Sequence, residues 1–419
     1  MRRAALPLAA AAFVVTLLPG PWGDESITDI PIYRAYAELF LDGTLPYRDV
    51  GFEYPPLAAI LLALPGIVSL DPEGYRLGFA ALTFCLLVVV VLLTGALARA
   101  TGGEVGRAMV AAALMPLACG ATLRTHFDLA PIAAVLGGLV LVCRGHPRTG
   151  MAVLGLGIVT KGFPIVAVPV VLAWLAARGE RRVALESLGA VTAAVTVVAG
   201  GALLLSPQGA LDAVTYHTDR PAQIESTASV ALLGLDALDL GDARGIGSHR
   251  SDGIDHPASG VVAGLLLAVL VGVVALFAIA LTRRSPRAPP TERAVALAGL
   301  GAVLAYASLG KVLSPQFLIW VAPLAALAFA WRLHALALVI GLATVLTLIE
   351  FPAHYADVVA RAPGALALVA TRDAALLTAL ALAARELLGG RVSATAGPAP
   401  GSARSRSLGP ERRPRPARR

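Results

Sequence analysis

The stretch LGFAALTFCLLVVVVLLTGAL, residues 77–97, runs for 21 positions without a charged side chain. At about 1.5 Å of rise per residue, a helix of that length reaches about 31 Å, which matches the hydrocarbon thickness of a bilayer. Apolar runs at 188–205, 258–281 and 296–309 repeat the pattern. Of the 419 residues, 57% are hydrophobic and only 15% are Asp, Glu, Lys or Arg; the mean hydropathy is +0.76. Soluble chains carry about 25% charged residues. A water-soluble domain is therefore excluded, and the sequence predicts an all-α, polytopic transmembrane helical bundle.

Outward from that core, the basic residues order the spans. Cytoplasmic loops are enriched in Lys and Arg, which assigns 99–107, 144–148, 178–182, 283–293 and 332–334 to the cytoplasm. Spans near 76–98, 107–122, 127–143, 149–161, 163–177, 184–206, 257–282, 295–310, 316–331, 335–350 and 365–388 satisfy every assignment. With the apolar segment 4–18 after Arg2-Arg3, read as a retained first span rather than a cleaved leader, they make about 12 crossings. The run 57–70 is the exception: its 14 residues include Pro65-Gly66. A helix of about 21 Å is too short to cross, so a re-entrant or juxtamembrane helix is predicted there.

Residues 1–390 thus read as one transmembrane domain with external loops 21–56 and 207–257, and both termini fall in the cytoplasm. Segment 391–419 holds eight Arg and one Glu, a net +7 that equals the formal charge of the whole chain. Amid Pro, Ser and Gly it predicts a disordered basic tail lying against anionic lipids, not a nucleic-acid-binding arm. Cys85, Cys119 and Cys143 fall within or beside apolar segments and read as packing groups. No CxxC, HExxH or spaced His/Cys set is present; no cofactor is certain, and the sequence leaves dependence on a divalent metal open.

The polar chemistry concentrates on the external side. In the first loop Asp29, Asp49 and Glu53 are interleaved with Tyr33, Tyr47, Arg48, Phe52 and Tyr54, a mixture suited to stacking and hydrogen bonding on a sugar. Asp29, Tyr33 and Tyr36 would share one face of a helix over 30–40, which Asp42-Gly43 would end. The three acids are the candidate catalytic groups; Tyr33, Arg48 and Tyr54 are candidate sugar or acceptor contacts. The second loop offers His249 and Arg250 for a phosphate, and its apolar centre, 230–238, is expected to lie on the bilayer or close over a groove. Further candidates lie at helix ends: Arg124 with His126 and Asp128, Lys161 in a broken hairpin, and Lys311 with Gln316. Arg124, Lys161 and Lys311 converge on one face as a basic cavity, because bare charge is not tolerated in lipid. Arg124, Lys161, Lys311, His249 and Arg250 are thus read as phosphate contacts, and His126, Asp128 and Gln316 as sugar or acceptor contacts.

A basic cavity beside an acidic external loop suits a phosphate-linked lipid donor, with a carboxylate to take a proton from an acceptor hydroxyl. No P-loop or dinucleotide fingerprint is present, which disfavours direct use of a nucleotide sugar. Four motifs carry a resemblance: Asp29-Ile-Pro-Ile-Tyr33; Gly43-Thr-Leu-Pro-Tyr-Arg-Asp49 running to Phe52-Glu-Tyr-Pro-Pro-Leu57; Lys161-Gly-Phe-Pro164; and Lys311-Val-Leu-Ser-Pro-Gln-Phe317. On these the chain resembles the GT-C superfamily of membrane glycosyltransferases. Within it, the chain resembles the actinobacterial polyprenol-phosphate-mannose-dependent alpha-(1,2)-mannosyltransferase-like family, related to the phosphatidylinositol mannoside mannosyltransferases. The resemblance implies a hexose, with mannose expected, moved from a polyprenyl phosphate sugar to an extracytoplasmic glycolipid or glycan with inversion, and it places the essential acid at Asp29. Gly162 departs from the bulky residue that often follows the lysine. An arabinosyl or other pentosyl transferase, and a transporter of polyprenyl-linked sugars, stand as alternatives.

Overall fold

The structure is a computed structural model and describes residues 1–283 and 289–389. The tail 391–419 and part of the basic loop 283–293 lie outside the described residues. Among those described, five helices are long and apolar enough to cross a membrane: Pro72–Ala100, Arg181–Leu205, Ser259–Thr282, Glu292–Leu309 and Pro363–Leu388. Shorter apolar helices, among them Leu129–Cys143, Leu318–Ala330 and His334–Glu350, occur at others of the expected positions. The protein is an all-α membrane bundle with one small sheet.

Burial separates the long helices by role. Glu292–Leu309 has 83% of its apolar window inside the protein, whereas Arg181–Leu205 and Ser259–Thr282 have 11% each. A helix apolar on all sides is either enclosed by protein or bathed in lipid, and this molecule contains both kinds. Small residues let the enclosed helix be approached closely: a Cβ on Gly301 would come within 2.8 Å of the Phe277 ring. The N-terminal helix Arg2–Val15 buries Ala5, Ala9, Ala12 and Phe13 within the bundle.

Several helices break where prolines interrupt the ladder of backbone hydrogen bonds. The hairpin after Pro147–Ile158 stops at Val159, passes Lys161-Gly162, takes a 3₁₀ turn over Phe163–Ala167, and resumes as Val168–Ala177. Ser314-Pro315 likewise starts a 3₁₀ turn before Leu318–Ala330. The expected short helix is Pro56–Val68, 13 residues, about 20 Å long. All these breaks fall at one end of the bundle. At the other end Arg178 pairs with Glu292, and Trp331 Nε1 donates to Thr101.

The second external region is more structured than a flexible loop. Helix Pro207–Asp219 leads to β1 (Ala222–Gln223), helix Thr227–Asp236, β2 (Arg244–Ser248) and β3 (Ser251–Asp255), with β3 central and antiparallel to both neighbours. In its apolar centre, 230–238, Leu232 is fully buried in a cluster with Ala228, Ile254, Val358 and Val369, while Leu238 is 69% exposed. In the turn between β2 and β3, His249 and Arg250 have φ of 53° and 54°, the paired left-handed conformation of a tight two-residue hairpin.

Candidate active site

At the broken end of the bundle the inter-helix connections enclose a cavity of about 830 Å³, within the usual range for a ligand site. Asp29 stands at the N-terminal end of helix Ile30–Leu41. Its Oδ2 accepts from the Tyr33 hydroxyl at 3.2 Å, one turn along, and lies 3.4 Å from His126 Nε2. The other ring nitrogen of His126 faces the Thr122 carbonyl at 3.1 Å, so the ring is fixed from both sides. Burial pushes the Asp29 carboxyl up, but His126, the Lys161 charge and the Tyr33 hydroxyl outweigh it and hold the group below its ordinary value. The carboxylate is thus ionised at neutral pH, and with its side chain 34% exposed it remains accessible.

Of the candidate residues, Glu53, Tyr54, His126, Lys161, His249, Arg250, Lys311 and Gln316 line this cavity together with Asp29. Their engagement differs. Both carboxylate oxygens of Glu53 are occupied, one by the Tyr36 hydroxyl at 2.5 Å and one by Arg250 at 2.9 Å. Lys161 Nζ donates to both oxygens of Asp128 at 2.7 and 2.8 Å and lies 4.9 Å from the Phe127 ring centroid. Trp320 donates to the same carboxylate, and its indole is stacked between Phe163 and Phe317 at 4.0 and 3.8 Å.

Five candidates do not line the cavity. Arg124 is buried and spent on structure: Nε donates to Thr16 O at 2.7 Å, and the guanidinium also holds Glu25 and Gly23 O, pinning the segment after the first helix. Asp128 is fully buried and holds Lys161 rather than a sugar. Tyr33 is 1% exposed and orients Asp29 from beneath. Arg48 and Asp49 pair with each other, and Asp49 accepts from Leu45 N at 3.0 Å, which organises their own turn outside the cavity.

The sequence reading passed over Arg220, His217, Tyr216, Trp320 and Tyr355 as site residues, and all five line the cavity. Arg220 Nε donates to Ser251 Oγ at 3.2 Å, and Lys311 Nζ donates to Thr218 O at 2.6 Å. Among the described residues neither makes an ion pair. Burial pushes the pKa values of both down, outweighing the attraction of Asp219 for Lys311 and of Asp29 for Arg220. His217 Nε2 meets Glu53 O at 2.8 Å, and burial, the leading cause, holds this ring below its ordinary value. Deeper in the wall Glu225 is fully buried, and burial followed by Glu350 pushes its carboxyl well above the usual range. No group of three or more His, Cys, Asp or Glu side chains among the described residues could hold a metal ion.

This arrangement sets an ionised, oriented carboxylate and two cations without counter-ions around one accessible cavity at the end of a membrane bundle. No protein of curated function matches the chain. Among solved structures it is similar to an oligosaccharyltransferase of Archaeoglobus fulgidus, tethered by a disulfide bond to an acceptor peptide containing the NVT sequon. The identity is 14% and the TM-score 0.43, and the likeness covers 92% of this chain but 55% of that one, so the chain spans about half that protein's length. Residues 52–308, more than half of the chain, match glycosyltransferase family 87. That stretch includes Glu53, Lys161 and Arg220, while Asp29 precedes it and Lys311 follows it. The chain belongs to glycosyltransferase family 87, and it is a membrane glycosyltransferase.

Proposed function

We infer that the protein moves a hexose, with mannose the sugar expected, from a polyprenyl phosphate donor to a glycolipid or glycan acceptor. The cavity end of the bundle faces the extracytoplasmic side of the cell membrane, and both termini are cytoplasmic; the basic connections at the opposite end support this orientation. The observation that carries the reading is the placement of Asp29 in the same cavity as Arg220 and Lys311, cations without carboxylate partners. An anionic phosphate is the ligand such cations favour. The lipid-facing helices Arg181–Leu205 and Ser259–Thr282 adjoin the external region that carries Arg220 and supply an apolar surface for a polyprenyl tail.

In the reaction the acceptor oxygen bonds to the sugar's C1 and the C1–O bond to phosphate breaks. The bonding pair leaves on the phosphate oxygen, where Arg220 and Lys311 stabilise it, and the acceptor proton passes to Asp29. Lys161, neutralised by Asp128, acts as a fixed polar wall and as part of the field that keeps Asp29 ionised.

The test is transfer by membranes containing the full chain, given radiolabelled polyprenyl phosphate mannose, glucose or arabinose without nucleotide sugar. Label entering endogenous acceptor from the mannose donor is the expected result. Incorporation from the arabinose donor alone would make the protein a pentosyl transferase, and incorporation only from a nucleotide sugar would overturn the lipid-donor reading.

A further inference from the structure

Outside the main cavity, between residues 47–53 and helix Pro207–Asp219, lies a second cleft of about 400 Å³, also within the range of small-ligand sites. It is bordered by Tyr36, Tyr47 and Phe52, by the Arg48–Asp49 pair, and by Asp212 and Ala213 of the helix. The cleft is a built feature. Tyr47 holds a left-handed φ of 69°, its N–H donates to Val50 O at 2.9 Å, and its hydroxyl donates to Tyr54 O at 2.6 Å. Opposite, Gly209 packs so closely on the Tyr47 carbonyl that a Cβ would come within 2.0 Å of its oxygen, so the two walls are locked together.

The cleft and the main cavity share three residues: Glu53, Tyr216 and Arg250. Arg250, on the hairpin turn, bridges to Glu53 at 2.9 Å and lies 5.6 Å from the Tyr36 ring centroid. Its side chain is 51% exposed while that of Glu53 is 10% exposed, so the carboxylate is the fixed half of the pair and the guanidinium, on its turn, is the half that water can reach and release. The two chambers also differ in charge. The cleft sets Asp49, Asp212 and Glu53 against Arg48 and Arg250 and has no lysine, which is unsuitable for a phosphate and suitable for a neutral polyol. Carboxylates and guanidinium groups hydrogen-bond its hydroxyls, and the aromatic side chains meet its C–H faces.

We propose that this cleft binds the neutral sugar terminus of the acceptor, and that the Glu53–Arg250 pair is the door through which the reacting hydroxyl meets the donor at Asp29. The proposal rests on the two-substrate reading above. It adds the place and chemical class of the second substrate. The hydroxyl delivered through the door forms the new C1–O bond, loses its proton to Asp29, and displaces the lipid phosphate.

The test uses the full chain in lipid nanodiscs, with a panel of neutral methyl hexopyranosides, methyl α-D-mannopyranoside first, detected by saturation-transfer NMR. A photoactivatable polyprenyl phosphate mannose reports donor binding separately. Ala213→Trp fills the cleft and is expected to weaken the methyl glycoside by at least about 10-fold, leaving donor crosslinking unchanged. Asp212→Ala, an exposed change whose carboxylate accepts, among the described residues, from Gln208 Nε2, should weaken it about 3- to 10-fold in the same direction. Lys311→Met should do the reverse, losing donor crosslinking and keeping the glycoside. Glycoside binding that is absent from the unsubstituted protein, or undiminished in both cleft variants, would overturn the proposal. Failure of the unsubstituted protein to crosslink the donor, with cleft binding intact, would instead overturn the donor reading.

Discussion

Lys161 and the Arg220–Lys311 pair border one cavity in different electrical surroundings. Lys161 is gripped by a fully buried carboxylate and flanked by Phe127 and Trp320. Among the described residues Arg220 and Lys311 donate to neutral oxygens, those of Ser251 and Thr218. The difference teaches that a cation lining a membrane cavity can be part of the frame or part of the binding surface. The partner decides which: a desolvated charge already neutralised has little to gain from an incoming phosphate, whereas an unpaired one has its main counter-charge still to meet.

The comparison breaks most visibly at Asp128. Asp128→Leu strands the Lys161 ammonium in the wall and should destabilise the protein by about 3–5 kcal/mol. The Asp128→Leu/Lys161→Met double variant should recover most of that loss. Thermal unfolding in detergent measures it, and a single variant as stable as the parent would show that the pair is not structural.

Next in size, Arg220→Gln and Lys311→Met should each raise the donor KM by about 10- to 150-fold, the range of a lost charge-assisted contact, with unfolding temperature unchanged. Lys161→Met with unaltered stability and an equally large donor effect would erase the distinction between the two kinds of cation.

The smallest expected effect concerns His126. Burial raises the Asp29 carboxyl, and His126 is foremost among the groups that overcome this rise. His126→Ala should therefore raise the Asp29 pKa. A base in the proposed role works only when ionised and is lost as pH falls through its pKa, so the acid limb of the kcat/KM profile should move to higher pH while the alkaline side stays close to the parent. An unmoved acid limb would remove His126 from the control of Asp29.

How far these features can be read in the amino-acid order depends on how local they are. Asp29 and Tyr33 are one helical turn apart, so their shared face follows from spacing alone, and Asp42-Gly43 marks the helix end that the structure has. The break at Lys161-Gly162 follows from two short apolar runs and the proline after them. Arg124 misled because its partners Thr16, Gly23 and Glu25 lie about a hundred residues away in sequence, and nothing near Arg124 announces them. Asp128 misled for a similar reason, since Lys161 and Trp320 reach it from distant segments. The sheet was hidden because Gly245-Ile-Gly-Ser248 reads as flexible chain until β3 pairs with it. Arg220 sat in a polar run with Asp219 and was indistinguishable there from a solvated surface pair.

In the proposed reaction Asp29 takes the proton, and Arg220 with Lys311 holds the phosphate. The most direct measurement is single-turnover transfer by purified Asp29→Asn protein, with donor affinity measured on the same preparation. Asn keeps the size of the side chain but cannot readily accept the proton, so the transfer rate should fall by at least about 100-fold, the lower range for loss of a general base, while donor affinity stays within about two-fold. A near-normal transfer rate at saturating donor and acceptor would contradict the assignment.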